Sequence, residues 1–350
     1  MVGRVAFAVP GDLAIPTGGY AYDRRIIMEL ERLGWTVEIV NLGEGFPRPS
    51  LEQRKTAEQR LTPLAAGLPI VIDGLAYGVL PEVGSKLSSR HPLIALVHHP
   101  LALESGLSET EAEQFRASER AALAAAKRVV ATSATTAQLL AADYGVPADR
   151  IVVARPGTDP APAAQGSNDG TVRLLAIGAV VRRKGFDVLI AALAMLRNLP
   201  WHLTIAGDRS RDPEAAAGLD ADIARCGLGD RVAVLGAVPP ARIAELYAGA
   251  DLFTLASRFE GYGMAFSEAI AHGLPVIGTN AGAIPETVAP GAGLLVPPDD
   301  VAALALALRR AIQKPDERRR MAAVARAAAQ TLPSWQDSAK IFARTLEAAA

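Results

Sequence analysis

Glu260-Gly-Tyr-Gly-Met-Ala-Phe-Ser-Glu268, continued by Ala-Ile-Ala-His-Gly-Leu-Pro-Val-Ile-Gly278, sets two carboxylates on either side of a glycine-rich turn. Met264, Phe266, Ala269 and Ile270 follow helical spacing, so a helix is predicted to begin near Gly263, with a short β-rich run after it. Glu260 then lies on the loop before the helix and Glu268 in its second turn. A helix begun through glycines presents unpaired backbone N–H groups, a ready seat for phosphate. Carboxylates ahead of and behind such a seat can accept hydroxyls from both ends of a sugar nucleotide. The plainer alternative is an ordinary strand–glycine–helix junction, its acids solvated and favoured by the helix dipole.

Outward from this stretch, β-rich runs alternate with helical ones, which argues for parallel sheets covered by helices. In the first half the predicted strands are Val2–Val9, Thr36–Asn41, Pro69–Asp73, Leu93–His98, Arg128–Ala131 and Ile151–Ala154, with helices such as Tyr20–Leu33 and Glu109–Ala126 between them. Pro156–Thr171 breaks the alternation with proline, glycine and small polar residues and reads as a linker. A second series follows at Val172–Gly178, Trp201–Ala206, Arg231–Leu235, Asp251–Leu255, Pro275–Gly278 and Gly293–Val296. Two doubly wound α/β units are therefore expected, with ligands at the C-terminal strand ends. The tail Ser334–Ala350 is amphipathic through Trp335, Ile341, Phe342 and Leu346.

Composition agrees. The chain has 350 residues, 50% of them hydrophobic, enough for about two domains of ordinary size. A net charge of −1 points to no nucleic-acid partner. The single cysteine, Cys226, excludes a disulfide framework and a cysteine-rich metal site and reads as core packing. The N-terminus reads as a strand rather than a signal peptide, and no apolar run approaches the ~20 residues of a membrane helix, so the expected compartment is the cytoplasm.

Further groups carry chemistry. After the strand ending at Gly178, Arg183, Lys184 and Gly185 stand at the start of a helix, where cations are unfavourable unless an anion joins them. The alternative is an exposed basic turn. Asp220-Ala-Asp222 has the form of a cation-chelating Asp-x-Asp, but on the predicted helix Glu214–Cys226 its two acids face different sides, and no metal is expected. Gly18 and Gly19 sit in a strand-to-helix turn that suits either close approach of a phosphate or simple turn geometry. No Gly-x-Gly-x-x-Gly is present there, which argues against a dinucleotide-binding dehydrogenase. His98 closes a strand, a position open to a core role and to a ligand role alike.

The Glu260–Glu268 stretch, with Ala269, Gly273, Pro275-Val276 and Gly282-Ala-Ile-Pro-Glu286, resembles the signature of retaining glycosyltransferases of family four, the glycosyl transferases group 1. The resemblance is most specific between about Val172 and Pro298. It implies the GT-B architecture: two Rossmann-like doubly wound parallel-sheet domains with an inter-domain cleft. Residues 1–160 would then be an acceptor-binding domain, with the 334–350 helix packed back on it, and 171–333 the nucleotide-sugar domain. It further implies that Glu260 holds donor-sugar hydroxyls, Glu268 the ribose, and Lys184 the diphosphate, with Gly178, Gly261 and the backbone of Gly263 and Met264 around them. Gly18 and Gly19 would face the diphosphate and acceptor, Gly236 and Val238 the nucleobase, and His98 the reacting sugar. The family's Gly-Arg-x-x-x-x-Lys-Gly departs here: Ala179 replaces the arginine, leaving Arg182 or Arg183 to substitute for it.

The expected activity is metal-independent, retaining hexose transfer from a UDP- or GDP-type nucleotide sugar to an acceptor hydroxyl. Residues 1–160 hold 16 Lys and Arg against 18 Asp and Glu, which disfavours an anionic bilayer and allows at most peripheral membrane contact. A soluble small molecule or oligosaccharide is the expected acceptor. The rival readings are a sugar-nucleotide epimerase of the same architecture and a non-catalytic nucleotide-sugar sensor.

Overall fold

The computed structural model describes residues 3–104, 106–167 and 169–349, so the predicted strand residue Val2 lies outside the described residues. The chain divides into two compact units, 1–157 with 333–350 and 158–332.

In the first unit six parallel strands form one sheet: β1 Arg4–Val9, β2 Thr36–Asn41, β3 Ile70–Asp73, β4 Leu93–Val97, β5 Arg128–Ala131 and β6 Ile151–Val153. Their order is β2-β1-β3-β4-β5-β6. β3 and β4 are wholly buried, as the apolar runs Ile70–Ile72 and Leu93–Val97 require of parallel strands covered on both faces. The order reverses direction beside β1, so the ends of β1, β3 and β4 open onto one switch point. The helix Trp335–Ala349 belongs to this unit: Phe342 stacks on Phe7 of β1 with ring centroids 6.3 Å apart. Trp335 meets Tyr22 edge-on at 5.8 Å.

The second unit repeats the plan with β7 Val172–Ile177, β8 Trp201–Ala206, β9 Val232–Val234, β10 Leu252–Leu255, β11 Val276–Thr279 and β12 Gly293–Val296. The order β12-β11-β10-β7-β8-β9 brings β7 against β10, Leu252 beside Leu174 and Phe253 beside Leu175. Phe253 packs edge-to-face on Phe266 at 5.2 Å, which clamps the helix Met264–Ala271 over the sheet. Trp201 is fully buried, and its indole N–H donates to Leu196 O at 2.8 Å. Trp201→Ala should lower the unfolding free energy of this unit by about 3–5 kcal/mol, read from urea denaturation. A loss under about 1 kcal/mol would contradict this core assignment.

The proline-rich segment has no helix or strand among its described residues, as its composition predicts, yet it is tied down along its length. Thr158 Oγ1 donates to Ser267 Oγ at 3.1 Å, Ala164 N to His272 O at 2.8 Å, and Ser167 Oγ to Asp251 Oδ2 at 2.7 Å. Cys226 is buried in the core of the second unit. No described helix is long and apolar enough to cross a membrane.

Candidate functional site

The switch point of the second sheet lies between β7 and β10, and the two motifs follow those strands. After β7 the chain turns through Arg182–Lys184 and reaches Gly185 at φ 65°, a left-handed conformation that favours glycine. A Cβ there would also collide with Ala256 O, just past β10. Glycine thus lets the basic turn lie directly against the loop that carries Glu260. Arg258 staples the two together: its guanidinium grips Asp187 bidentately at 3.0 and 2.7 Å and reaches Asp299 at 2.7 Å.

Lys184 Nζ therefore donates to Glu260 Oε1 at 2.6 Å, and Arg183 reaches Glu260 Oε2 at 3.4 Å and Phe259 O at 2.9 Å. Ser257 Oγ donates to the same Oε1 at 2.6 Å. The Lys184 and Glu260 side chains are only 15% and 7% exposed. Burial alone pushes the Glu260 carboxyl up; the Lys184 and Arg183 charges more than reverse it, holding it at about 2. The sequence reading gave these groups separate duties, whereas the fold joins them in one ionised cluster. Of the two arginines named as substitutes for the missing one, Arg183 points into this cluster and Arg182 is exposed.

Gly282-Ala-Ile-Pro-Glu286 braces the loop. Ala283 N donates to Glu260 O at 2.9 Å and Thr287 Oγ1 to Tyr262 O at 2.6 Å. Gly261 is buried in that loop, and Gly263, at φ 90°, caps the helix Met264–Ala271, with Met264 as its first residue. Phe266 N already donates to the cap carbonyl Gly263 O at 2.9 Å, and the helix start carries the positive end of the dipole. Glu268 lies in the second turn, and Tyr247 Oη donates to its Oε2 at 2.9 Å. Burial, with Asp159 adding to it against the Tyr247 hydrogen bond, raises Glu268 to about 6.

Gly178 follows β7, close enough that a Cβ would stand 3.1 Å from Lys184 Cε. Gly236 follows β9; its carbonyl accepts from Gly207 N at 2.8 Å, and Gly207 packs on the Gly178 carbonyl. Gly207 thus bridges two predicted glycines and was missed; its only sequence signal is a glycine after the apolar strand β8. Val238 is half-buried in the turn before the helix Pro240–Gly249. Asp220 pairs with Arg209 and Asp222 with Arg225.

In the first unit Gly18 and Gly19 begin the helix Gly18–Arg32, capped by Thr17, whose Oγ1 accepts from Tyr20 N at 3.1 Å. A Cβ at Gly19 would lie 3.2 Å from the His98 ring. His98 Nε2 points at Asp23 Oδ1, 3.1 Å away, and Asp73 Oδ2, 3.4 Å away. Both acids are buried. The sequence reading missed them, although Asp73 sits at the C-terminal end of an apolar strand. Among the described residues this is the group close enough to share a metal ion, its ligand atoms all within 4.8 Å. A proton on His98 already meets both carboxylates there.

Burial by itself pushes the His98 imidazole down, but Asp23 and Asp73 more than reverse that and raise it to about 10. A histidine raised in the folded state lends stability that is complete below its ordinary 6.5 and is lost as pH rises through about 10. Its NMR titration should therefore be absent between pH 6 and 8 and reappear lower in Asp23→Asn. An ordinary titration near 6.5 in the unmodified protein would contradict this assignment.

The profile described as Glycosyl transferases group 1 matches residues 158–328, and that of Glycosyltransferase Family 4 matches 22–162. The chain is 31% identical over 295 residues to D-inositol 3-phosphate glycosyltransferase of Pseudarthrobacter chlorophenolicus, covering 78% of this chain and 69% of that protein. With the Nocardia farcinica protein of the same name it shares 33% over 285 residues, 74% of this chain but only 62% of that protein. Among solved structures, sucrose-phosphate synthase from Thermosynechococcus elongatus superposes with a TM-score of 0.83 at 23% identity, over 99% of this chain and 100% of the other. Anabaena HepE, in complex with UDP and glucose, gives 0.74 at 21% identity, over 97% and 99%.

Proposed function

This chain belongs to the glycosyl transferases group 1 family, and from that premise we propose that it moves a hexose from a nucleotide sugar to an acceptor hydroxyl, with retention and without a metal. The observation that carries the reading is the Lys184–Glu260–Arg183 cluster beside the start of the Met264–Ala271 helix. Breaking the bond from the anomeric carbon to the diphosphate oxygen builds negative charge on the leaving group. Lys184, Arg183 and the helix N-terminus oppose that charge with fixed groups that need no reorganisation. Glu260 retains lone pairs for donor-sugar hydroxyls, and Glu268 takes the ribose. The acceptor oxygen forms the new bond on the face the leaving group departs from, and its proton passes to the leaving phosphate oxygen. His98, held by Asp23 and Asp73, supports the reacting sugar or the acceptor.

A small, soluble acceptor is supported by relatives named for D-inositol 3-phosphate. UDP is the first donor base to test, since the Anabaena neighbour was solved with it. Calorimetry with UDP, GDP, ADP and NAD, each with and without EDTA, tests the reading. EDTA-insensitive binding of one nucleoside diphosphate is expected. Binding of NAD alone, or of none, would overturn the assignment, and a strict need for Mg²⁺ in turnover would overturn its metal-free part.

A further inference from the structure

Tyr247 is buried, and its hydroxyl stands 3.0 Å from Ala265 O and 2.9 Å from Glu268 Oε2. A phenol carries one proton, so it cannot donate to both at once. Burial asks for only one partner, and the Ala265 carbonyl alone would supply it. The second contact is surplus to packing and falls on the carboxylate assigned to the ribose.

Two aromatic neighbours hold the ring. It stacks on His272 at 5.0 Å with an interplanar angle of 13°, and on Phe253 at 6.1 Å. His272 Nδ1 meets Pro162 O at 3.0 Å, and since a carbonyl only accepts, that nitrogen bears the proton. Tyr247 thus has little freedom to leave Glu268.

We infer that Tyr247 is a positioning residue for the donor: it holds Glu268 Oε2 so that Oε1 is left to accept the ribose hydroxyls. The inference rests on the reading of Glu268 as the ribose contact. The Tyr247 contact persists in both protonation states, but only the ionised form makes Oε1 a charged acceptor. With Glu268 ionised, the phenol donates to it; with Glu268 protonated, the carboxyl donates to the phenol oxygen and the phenol turns to Ala265 O. The groups that bear on Glu268 are Tyr247 from the helix Pro240–Gly249 and Asp159 from the proline-rich segment, with His272 behind Tyr247. The Tyr247 hydrogen bond pulls the Glu268 carboxyl down toward about 6, against burial and Asp159.

Tyr247→Phe keeps the ring and its stacking and deletes one oxygen. Calorimetry would compare UDP with 2′,3′-dideoxy-UDP, or the same pair on whichever base binds, in the unmodified protein, Tyr247→Phe and Glu268→Ala. Tyr247→Phe is expected to weaken the ribonucleotide about tenfold, the usual size of a hydrogen bond to a charged group, and to leave the dideoxy compound unchanged. Turnover at saturating donor and the acceptor KM should stay within about twofold. The acid limb of UDP binding should move to higher pH, since the carboxyl loses the bond that holds it down. If Glu268→Ala leaves UDP binding intact, the ribose reading fails. If Glu268→Ala weakens it but Tyr247→Phe does not, or weakens both nucleotides equally, the reading stands and the Tyr247 inference is overturned.

Discussion

Lys184→Ala is expected to lower turnover about a hundredfold or more, the usual size of a lost partner for transition-state charge. The loss should fall on kcat more than on donor KM, because the charge on the leaving diphosphate grows as the bond breaks. The substitution also leaves Glu260 with Arg183 at 3.4 Å and Ser257 as its remaining partners in the cluster. A carboxyl held at about 2, below its ordinary 4.5, lends stability that is present above 4.5 and lost as pH falls through about 2. Without Lys184 the carboxyl rises, so acid unfolding of the second unit should begin at a higher pH. Steady-state kinetics and a denaturation series between pH 6 and pH 2 check both parts. Turnover within tenfold of the unmodified enzyme would remove Lys184 from the assigned role.

Glu260→Ala should cost turnover at least as much and should carry a larger penalty in stability. It removes the carboxylate from between two half-buried cations, and breaking a buried pair by removing one member costs about 3–5 kcal/mol. Because the three side chains act as one cluster, the double variant Lys184→Ala/Glu260→Ala should be no slower than the slower single variant. It should also be more stable than Glu260→Ala alone, since the half-buried ammonium beside Arg183 is gone. Additive losses in kcat would mean that the two groups act independently, as the sequence reading assigned them.

Much of this was legible in the chain. The strands fall within a residue or two of their predicted positions, and the helix Met264–Ala271 begins after Gly263 as its apolar spacing required. Arg183, Lys184, Glu260 and Glu268 were legible because glycines and charged residues at strand ends stand out against apolar runs. Ser257, Asp23, Asp73 and Tyr247 were not. Each sits in a stretch with no motif of its own; Asp23, Asp73 and Tyr247 matter only through a neighbour distant in the chain, 75 residues away for Asp23 and His98, and Ser257 only because the loop turns its hydroxyl back onto Glu260. Ala179 left the choice between Arg182 and Arg183 open, because adjacent residues on a tight turn point different ways and only coordinates tell which meets the carboxylate.

The sequence by itself determined the alternating α/β plan, the two series of strands, and which strand ends carry polar groups. These follow from periodicity and turn chemistry, which act over a few residues. Only the tertiary structure decided that Lys184 and Glu260, 76 residues apart, form one ion pair. That contact depends on β7 and β10 lying side by side, and strand order is set by how whole sheets and helices pack, which no local pattern encodes.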